Sequence, residues 1–555
     1  MRPLPFPRIL HPLRAALHRA LTPPRLASGV LLLGLAGAAN PALAQVLELS
    51  SLNGVNGFKI NGVATGDDTA IAVSNLGDVN GDGLADLLIG APGVDSNGTD
   101  SGASDVVFGR TNLGAGGTLE LSALNGLNGF KINGVAASDN VGFAVSNLGD
   151  VNGDGVADLL IGAPGADPNS SYSGASYVVF GKPNLGAGGT LELSALNGAN
   201  GFRINGAASD NVGFAVSNLG DVNGDGVADL LIGAPGADPN SSYSGASYVV
   251  FGKPNLGAGG TLELSALNGA NGFKLNGVAS NDSTARAVSG LGDVNGDGRA
   301  DLLIGALFAS PNGGGSGASY VVFGKPSLGA GGTLELSTLN GANGFKLNGV
   351  AISDYSGFAV SGLGDVNGDG VADLIIGAPG ASPHGGADGV SYVVFGRSNL
   401  GAGGKLELSA LNGANGFKLN GVAADNQSGS AVGDLGDTNG DGTADLVIGA
   451  FGVDAHGADS GAAYVVYGKT NLGAGGTLEL SALNGANGFR LNGAAADDMA
   501  GNAVSGLGDV NGDGLADLLV GAHHADPRGV DSGAAYVVFG RKAPLGNLIF
   551  QDGFE

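Results

Sequence analysis

Seven times along the chain, aspartate, asparagine, aspartate and aspartate occupy positions 1, 3, 5 and 9 of one short segment. The sets are Asp78, Asn80, Asp82 and Asp86; Asp150, Asn152, Asp154 and Asp158; Asp221, Asn223, Asp225 and Asp229; Asp293, Asn295, Asp297 and Asp301; Asp365, Asn367, Asp369 and Asp373; Asp437, Asn439, Asp441 and Asp445; and Asp509, Asn511, Asp513 and Asp517. Position 7 adds a backbone carbonyl, from Leu84, Val156, Val227, Arg299, Val371, Thr443 or Leu515. All these donors are hard oxygens, and the glycines at positions 4 and 6 let the backbone curl around a centre. Six to eight such oxygens suit Ca²⁺. The expectation is therefore up to seven calcium ions, one per copy. Without a cation, three carboxylates would crowd and repel one another. A bare Asx-turn that binds nothing is the alternative, and seven complete sets weigh against it. An EF-hand is excluded, because position 12 is Ile89 or its counterpart inside an apolar run, not a bidentate glutamate. The "GAGGTLELS" segments lack the aspartate and the nine-residue period of the glycine-rich calcium repeat.

The loops recur every 71 or 72 residues, so one repeat fills nearly the whole chain. Each copy parses into short β-branched and aromatic runs bounded by Gly, Asn, Asp or Pro. In the second copy these are "FAVSNLG", "ADLLIGAP" and "SYVVFG", followed by "TLELSAL" and "GFRING". No sustained helical period follows residue 44. Four principal strands per unit, seven units long, predict an all-β fold: a seven-bladed β-propeller of four-stranded antiparallel blades. "TLELSAL" is read as an addition between the third and fourth strands, either strand or short helix. "GFKING" at 57–62 precedes the first loop, while "AYVVFG" at 535–540 has no such run after it. The ring is thus expected to be closed by the N-terminal strand.

Composition agrees with this reading. Glycine reaches 109 residues, which suits a chain of many turns. With 43% hydrophobic residues a core can still be buried. Residues 1–44 hold five of the 24 basic residues and no acid, with an apolar run ending in Ala42-Leu43-Ala44. They read as a cleavable export signal, or alternatively as an uncleaved anchor. The remainder carries 19 basic residues against 50 acidic ones, a net −31. No basic face exists for nucleic acid. The absence of cysteine leaves metal, not disulfides, to staple a secreted fold. No later segment is apolar for long enough to cross a bilayer. The expected organisation is a signal peptide at 1–44, a propeller at 45–541 and a C-terminal tail at 542–555. The tail is either a sorting or docking signal or a disordered end. The mature chain is read as a secreted or cell-surface monomer.

The run "GFAVSNLGDVNGDGVADLLIGAP … GASYVVFG" resembles the FG-GAP repeat, which builds the N-terminal propeller of integrin α chains and occurs in secreted bacterial proteins. The resemblance implies calcium binding and, by analogy, adhesion or ligand recognition. Gly-Ala-Pro is intact in four copies and becomes Gly-Ala-Leu, Gly-Ala-Phe or Gly-Ala-His in three.

In a four-stranded antiparallel blade the metal loop shares one face with the 3–4 connection. The 2–3 and 4–1 connections share the other face, and these vary most between copies. Neutral drift accounts for such variation as readily as function does. The functional alternative is a surface for an unknown protein or glycan ligand around Arg286, Tyr355, His384, His456, His523, His524 and Arg528. The histidine pair has no partners at zinc spacing, and no nucleophile or paired-acid constellation lies outside the repeated loops. A binding protein rather than an enzyme is therefore expected. A secreted hydrolase or lyase on a propeller scaffold and a structural matrix protein are the competing readings.

Overall fold

The computed structural model describes residues 46–207 and 209–542. The expected signal peptide, and all of the expected tail except Lys542, lie outside the described residues. Among the described residues, 35 strands form seven sheets of five strands each. The first three strands of a blade follow directly in sequence. In the first blade they are Val73–Gly77, Asp86–Ala91 and Ala103–Val107, paired antiparallel in succession. Gly129–Asn133 adds the fourth strand, also antiparallel. The second strand is buried along its whole length, Asp86 included. Its apolar run is continuous instead of alternating because neighbouring blades cover both of its sides.

The expectation of four strands per blade is corrected by a fifth. Thr190–Glu192, from the "TLELSAL" of the following repeat, pairs parallel with Gly129–Asn133. A four-stranded blade would leave the fourth strand's outer N–H and C=O groups unpaired, and the next repeat covers that edge. The segment is both things the sequence left open. Three residues extend as strand, and the next three, Leu193–Ala195, turn as a 3₁₀-helix with Leu193 buried. Every blade is thus stitched to its successor.

The seven innermost strands pack against one another in a closed ring. At the axis the backbone N–H of Asn147 donates to Ser74 Oγ (3.3 Å), and the same step recurs from Asn218 to Ser146 and from Gly290 to Ser217. Closure runs through the N-terminal segment, as expected, and doubly so. Gly57–Asn61 is the fourth strand of the last blade, antiparallel to Ala534–Val538. Val46–Glu48 is the fifth strand of the sixth blade, parallel to Arg490–Asn492. Among the described residues the core consists of seven similar apolar clusters of buried residues from adjacent blades, with a small eighth at Ala91, Val94 and Ala103. Among the described residues no helix is long and apolar enough to cross a membrane.

Candidate functional site

Each acidic loop joins the first and second strands of its blade. A bulge sets it up. Pairing slips between Asn75 and Gly77, and the Gly77 N–H donates to Asn75 Oδ1 (2.7 Å). The loop then folds onto its own amides. Asp78 Oδ1 accepts from the N–H groups of Gly81 (2.6 Å) and Asp82 (3.0 Å), and Oδ2 accepts from Gly83 (2.8 Å). Asn80 Oδ1 accepts from the Asp82 N–H, and Asp82 Oδ1 from the Leu84 N–H, both at 2.9 Å. Gly81 and Gly83 adopt φ of 82° and 90°, where a side chain is strained.

Asp86 lies beneath the loop at the start of the second strand and is fully buried. Its Oδ2 accepts from the Val79 N–H (3.1 Å) and its Oδ1 from the Gly109 N–H (2.9 Å), so it ties the loop to the end of the third strand. Burial pushes this carboxyl up to about 7. The two amides pull it back, and the charges of Asp82 and Asp78 push it further up. The counterparts Asp158, Asp229, Asp301, Asp373, Asp445 and Asp517 are raised to about 7, with burial the largest cause in each. The sixth loop differs in its second residue, where the Thr438 hydroxyl donates to Asp445 Oδ2. In the first loop the charges at positions 1 and 5 thus reach the buried carboxyl at position 9. As placed, no three His, Cys, Asp or Glu side chains among the described residues form a ready cage around one point.

On the opposite face, parallel bridges such as Gly102 to Val141 join the 2–3 and 4–1 connections of neighbouring blades. Here the structure separates the residues that variation had grouped. His384, His456 and Arg528 occupy the position held by Asn97, Asn169, Asn240 and Asn312 in the other four blades. All seven bind the glutamate that ends the fifth strand. Asn169 donates to Glu263 Oε2 (3.0 Å), while Asn205, at the end of the fourth strand, donates to Oε1 (2.6 Å). His384 Nε2 lies 3.3 Å from Glu479 and its Nδ1 2.9 Å from Asp388. His456 Nε2 lies 3.3 Å from Glu48. Arg528 makes a two-pronged pair with Glu120, through Nη2 at 2.7 Å and Nε at 3.1 Å.

His523 replaces the proline of Gly-Ala-Pro. It is buried with its ring 4.1 Å from that of His524, and burial, aided by His524, pushes it down to about 3. His524 Nδ1 lies 4.0 Å from Asp531. Tyr355 meets Phe308 edge-on at 5.9 Å. Arg286 stands apart from all of these. It holds the position just before the innermost strand, which Ile71, Phe143, Phe214, Phe358, Ser430 and Asn502 hold in the other blades. These residues ring the axis. The Arg286 guanidinium lies 5.3 Å from the Phe214 ring and 5.5 Å from the Phe358 ring. The Phe143 and Phe214 rings are 4.9 Å apart. This aromatic crescent escaped the sequence reading, although Phe143, Phe214 and Phe358 recur at the repeat spacing.

Comparison with known proteins agrees with the geometry. The profile of the FG-GAP repeat matches residues 71–107, 141–179, 212–250, 285–322, 356–394 and 500–538. Over 189 residues the chain is 33% identical to phosphatidylinositol-glycan-specific phospholipase D of Bos taurus, covering 32% of this chain and 21% of that protein. Over 246 residues it is 30% identical to the Homo sapiens protein of that name, covering 43% and 26%. Over 179 residues it is 33% identical to integrin alpha-4 of Xenopus laevis, covering 32% and 15%. The chain thus matches about a quarter or less of the length of these relatives. Six of the chain's repeats are thus FG-GAP repeats, set in a seven-bladed propeller.

Proposed function

We propose that this propeller is an exported, calcium-binding recognition module that performs no chemistry of its own. The observation that carries the calcium reading is the repeated pairing of a curled ring of oxygen donors with a buried carboxylate under like-charge repulsion. In the first loop Asp78, Asn80, Asp82, the Leu84 carbonyl and Asp86 would hold the ion, and the other six sets follow suit. Lone pairs not engaged by loop amides supply the coordination, and the cation cancels the repulsion. Calcium that binds the folded loops and not the unfolded chain must stabilise the fold by mass action. A chelator should therefore lower the melting temperature, and added calcium should restore it. An unchanged melt, with no calcium found by elemental analysis, rejects this reading.

Recognition is assigned to the face opposite the loops. Tyr172, Tyr243, Phe308 and Ile352 are exposed in its connections, on consecutive blades. Solvated aromatic and apolar side chains in one sector are the usual footprint of a protein or glycan contact. A glycan and matrix-protein array tests this. Retention that Tyr243→Ala abolishes supports the reading, and retention indifferent to that change removes it. The phospholipase names among the relatives motivate the competing hydrolytic reading, which the same array would register as turnover of a retained glycan. Export rests on the apolar run and Ala-Leu-Ala of residues 1–44. N-terminal sequencing of the secreted protein should begin at Gln45.

A further inference from the structure

We propose that the axial end of the innermost strands, on the face opposite the acidic loops, binds a single carboxylate of a protein partner between Arg286 and the aromatic crescent. The site rests on the recognition-face reading above and names the chemistry it recognises. Arg286 is half-buried, and among the described residues its guanidinium has neither a hydrogen bond nor an ion pair. Among the described residues it lies against the ring faces of Phe214 and Phe358. Rings attract a cation but accept none of its five N–H donors in a directed bond. Burial also presses the guanidinium below its ordinary basicity, with no neighbouring acid to offset the effect.

The chain carries 50 acidic residues against 24 basic ones, and Arg528 on the same face is paired with Glu120 through two nitrogens. An arginine that faces no acid amid such a surplus is suited to one brought from outside. A carboxylate matches the planar fork of the guanidinium through two parallel hydrogen bonds. The flanking rings shield the pair from water and offer faces to apolar groups beside the carboxylate.

The rest of the face selects the partner. Asp167, Asp238, Asp454 and Asp526 lie in its 2–3 connections, so a polyuronate with a charge on every sugar is repelled. A lone aspartate or glutamate among apolar residues is not. The exposed Tyr172, Tyr243 and Phe308 of the second, third and fourth blades lie in the same sector, ready for those residues.

Two fragments test the site on the full mature chain: phenylacetate and its neutral counterpart phenylacetamide, compared by equilibrium dialysis. The wild type should prefer the acid by about tenfold, as expected of one two-pronged charge-assisted pair. Arg286→Phe installs the residue found in the second, third and fifth blades, and should fold normally while losing the preference. Arg286→Lys keeps the charge but loses the fork, and should retain only part of the preference. Equal binding of the two fragments by the wild type, or a preference that survives Arg286→Phe, overturns the proposal. To separate sources, an acetyl-Phe-Asp-Phe-amide peptide should outcompete tetragalacturonate, and the reverse order rejects a protein partner. An array ligand lost on Tyr243→Ala but indifferent to Arg286→Phe would remove the carboxylate site and leave the recognition face standing.

Discussion

A single buried residue distinguishes the first blade from the other six. Tyr177, Tyr248, Tyr320, Tyr392, Tyr464 and Tyr536 fill one site on the third strand, where the first blade has Asp105. The tyrosine site is amphipathic. The Tyr248 hydroxyl donates to Asp210 (3.0 Å), and Lys274 sits over its ring at 5.4 Å. In the second blade Tyr177 unites Ala163, Ala166 and Ala175 with the main apolar cluster. In the first blade the equivalent Ala91, Val94 and Ala103 form a small cluster of their own. Asp105 Oδ1 is buried and accepts no hydrogen bond among the described residues. Burial pushes its carboxyl up to about 6, Lys131 draws it down, and Asp67 raises it again. Because the folded value exceeds the unfolded one, the folded state binds the extra proton. Stability from this group is present below about pH 4 and is lost as pH rises through about 6. Asp105→Tyr should therefore stabilise the protein, by an amount that grows between pH 4 and 7 by roughly 2–3 kcal/mol. Thermal melts across that range check it, and a gain independent of pH contradicts it. The substitution is legible in the sequence as one Asp among six Tyr, but its burial is not.

At the scale of the element, the seven glutamates that end the fifth strands decide how blades join. Glu120, Glu192, Glu263, Glu335, Glu407, Glu479 and Glu48 each cross to the preceding repeat and accept from its fourth-strand asparagine at 2.6–3.0 Å. Glu263→Ala should cost about 1–2 kcal/mol, since two charge-assisted hydrogen bonds are lost from a partly solvated site. Glu263→Gln, which keeps an acceptor for Asn205, should cost less than half as much. Urea unfolding gives both numbers, and equal losses would show that the carboxylate's length, not its bonding, matters. Part of this element was readable in advance. "GFKING" announced itself as a strand through its aromatic and β-branched alternation, and the acidic loop through its ligand spacing. The fifth strand did not. Three residues are too few for a period, and a parallel pairing with another repeat's edge is a choice made over about 59 residues of chain. Nor could repetition single out the glutamate, because almost every residue of the repeat recurs with it. His384, His456 and Arg528, ligand candidates because their position varies, also hold this latch, and variation at a latch and variation at a binding loop look alike in sequence.

For the whole molecule, closure concentrates stability in the first 16 described residues. A ring whose sixth and last blades borrow strands from the N-terminus should unfold first at that seam, because the other five blades draw only on neighbouring repeats. Two truncations grade the effect. Removing residues 45–56 takes away Val46–Glu48 and Leu49, which is buried against the seam of the sixth and last blades. It also strips Asn492 and His456 of Glu48. That loss resembles one large-to-small core change plus a latch, about 3–5 kcal/mol. Removing residues 45–62 also deletes Phe58 and Ile60, both fully buried, and exposes the whole outer edge of Ala534–Val538. A further loss of about 5 kcal/mol or more follows, together with an unpaired strand edge prone to association. The shorter truncation should fold with a lowered melting temperature, whereas the longer one should be protease-sensitive in its last blade and aggregate on concentration. If the two melted alike, the N-terminal strand would be an ornament, and closure would have to reside in the packing of the innermost strands. The predicted cleavage after Ala44 gives this a biological edge. It leaves one residue ahead of Val46, so slippage by a few positions removes the sixth blade's fifth strand while leaving every acidic loop intact. Calcium content and thermal stability should then part company in a miscleaved chain, which separates what the loops stabilise from what the seam does.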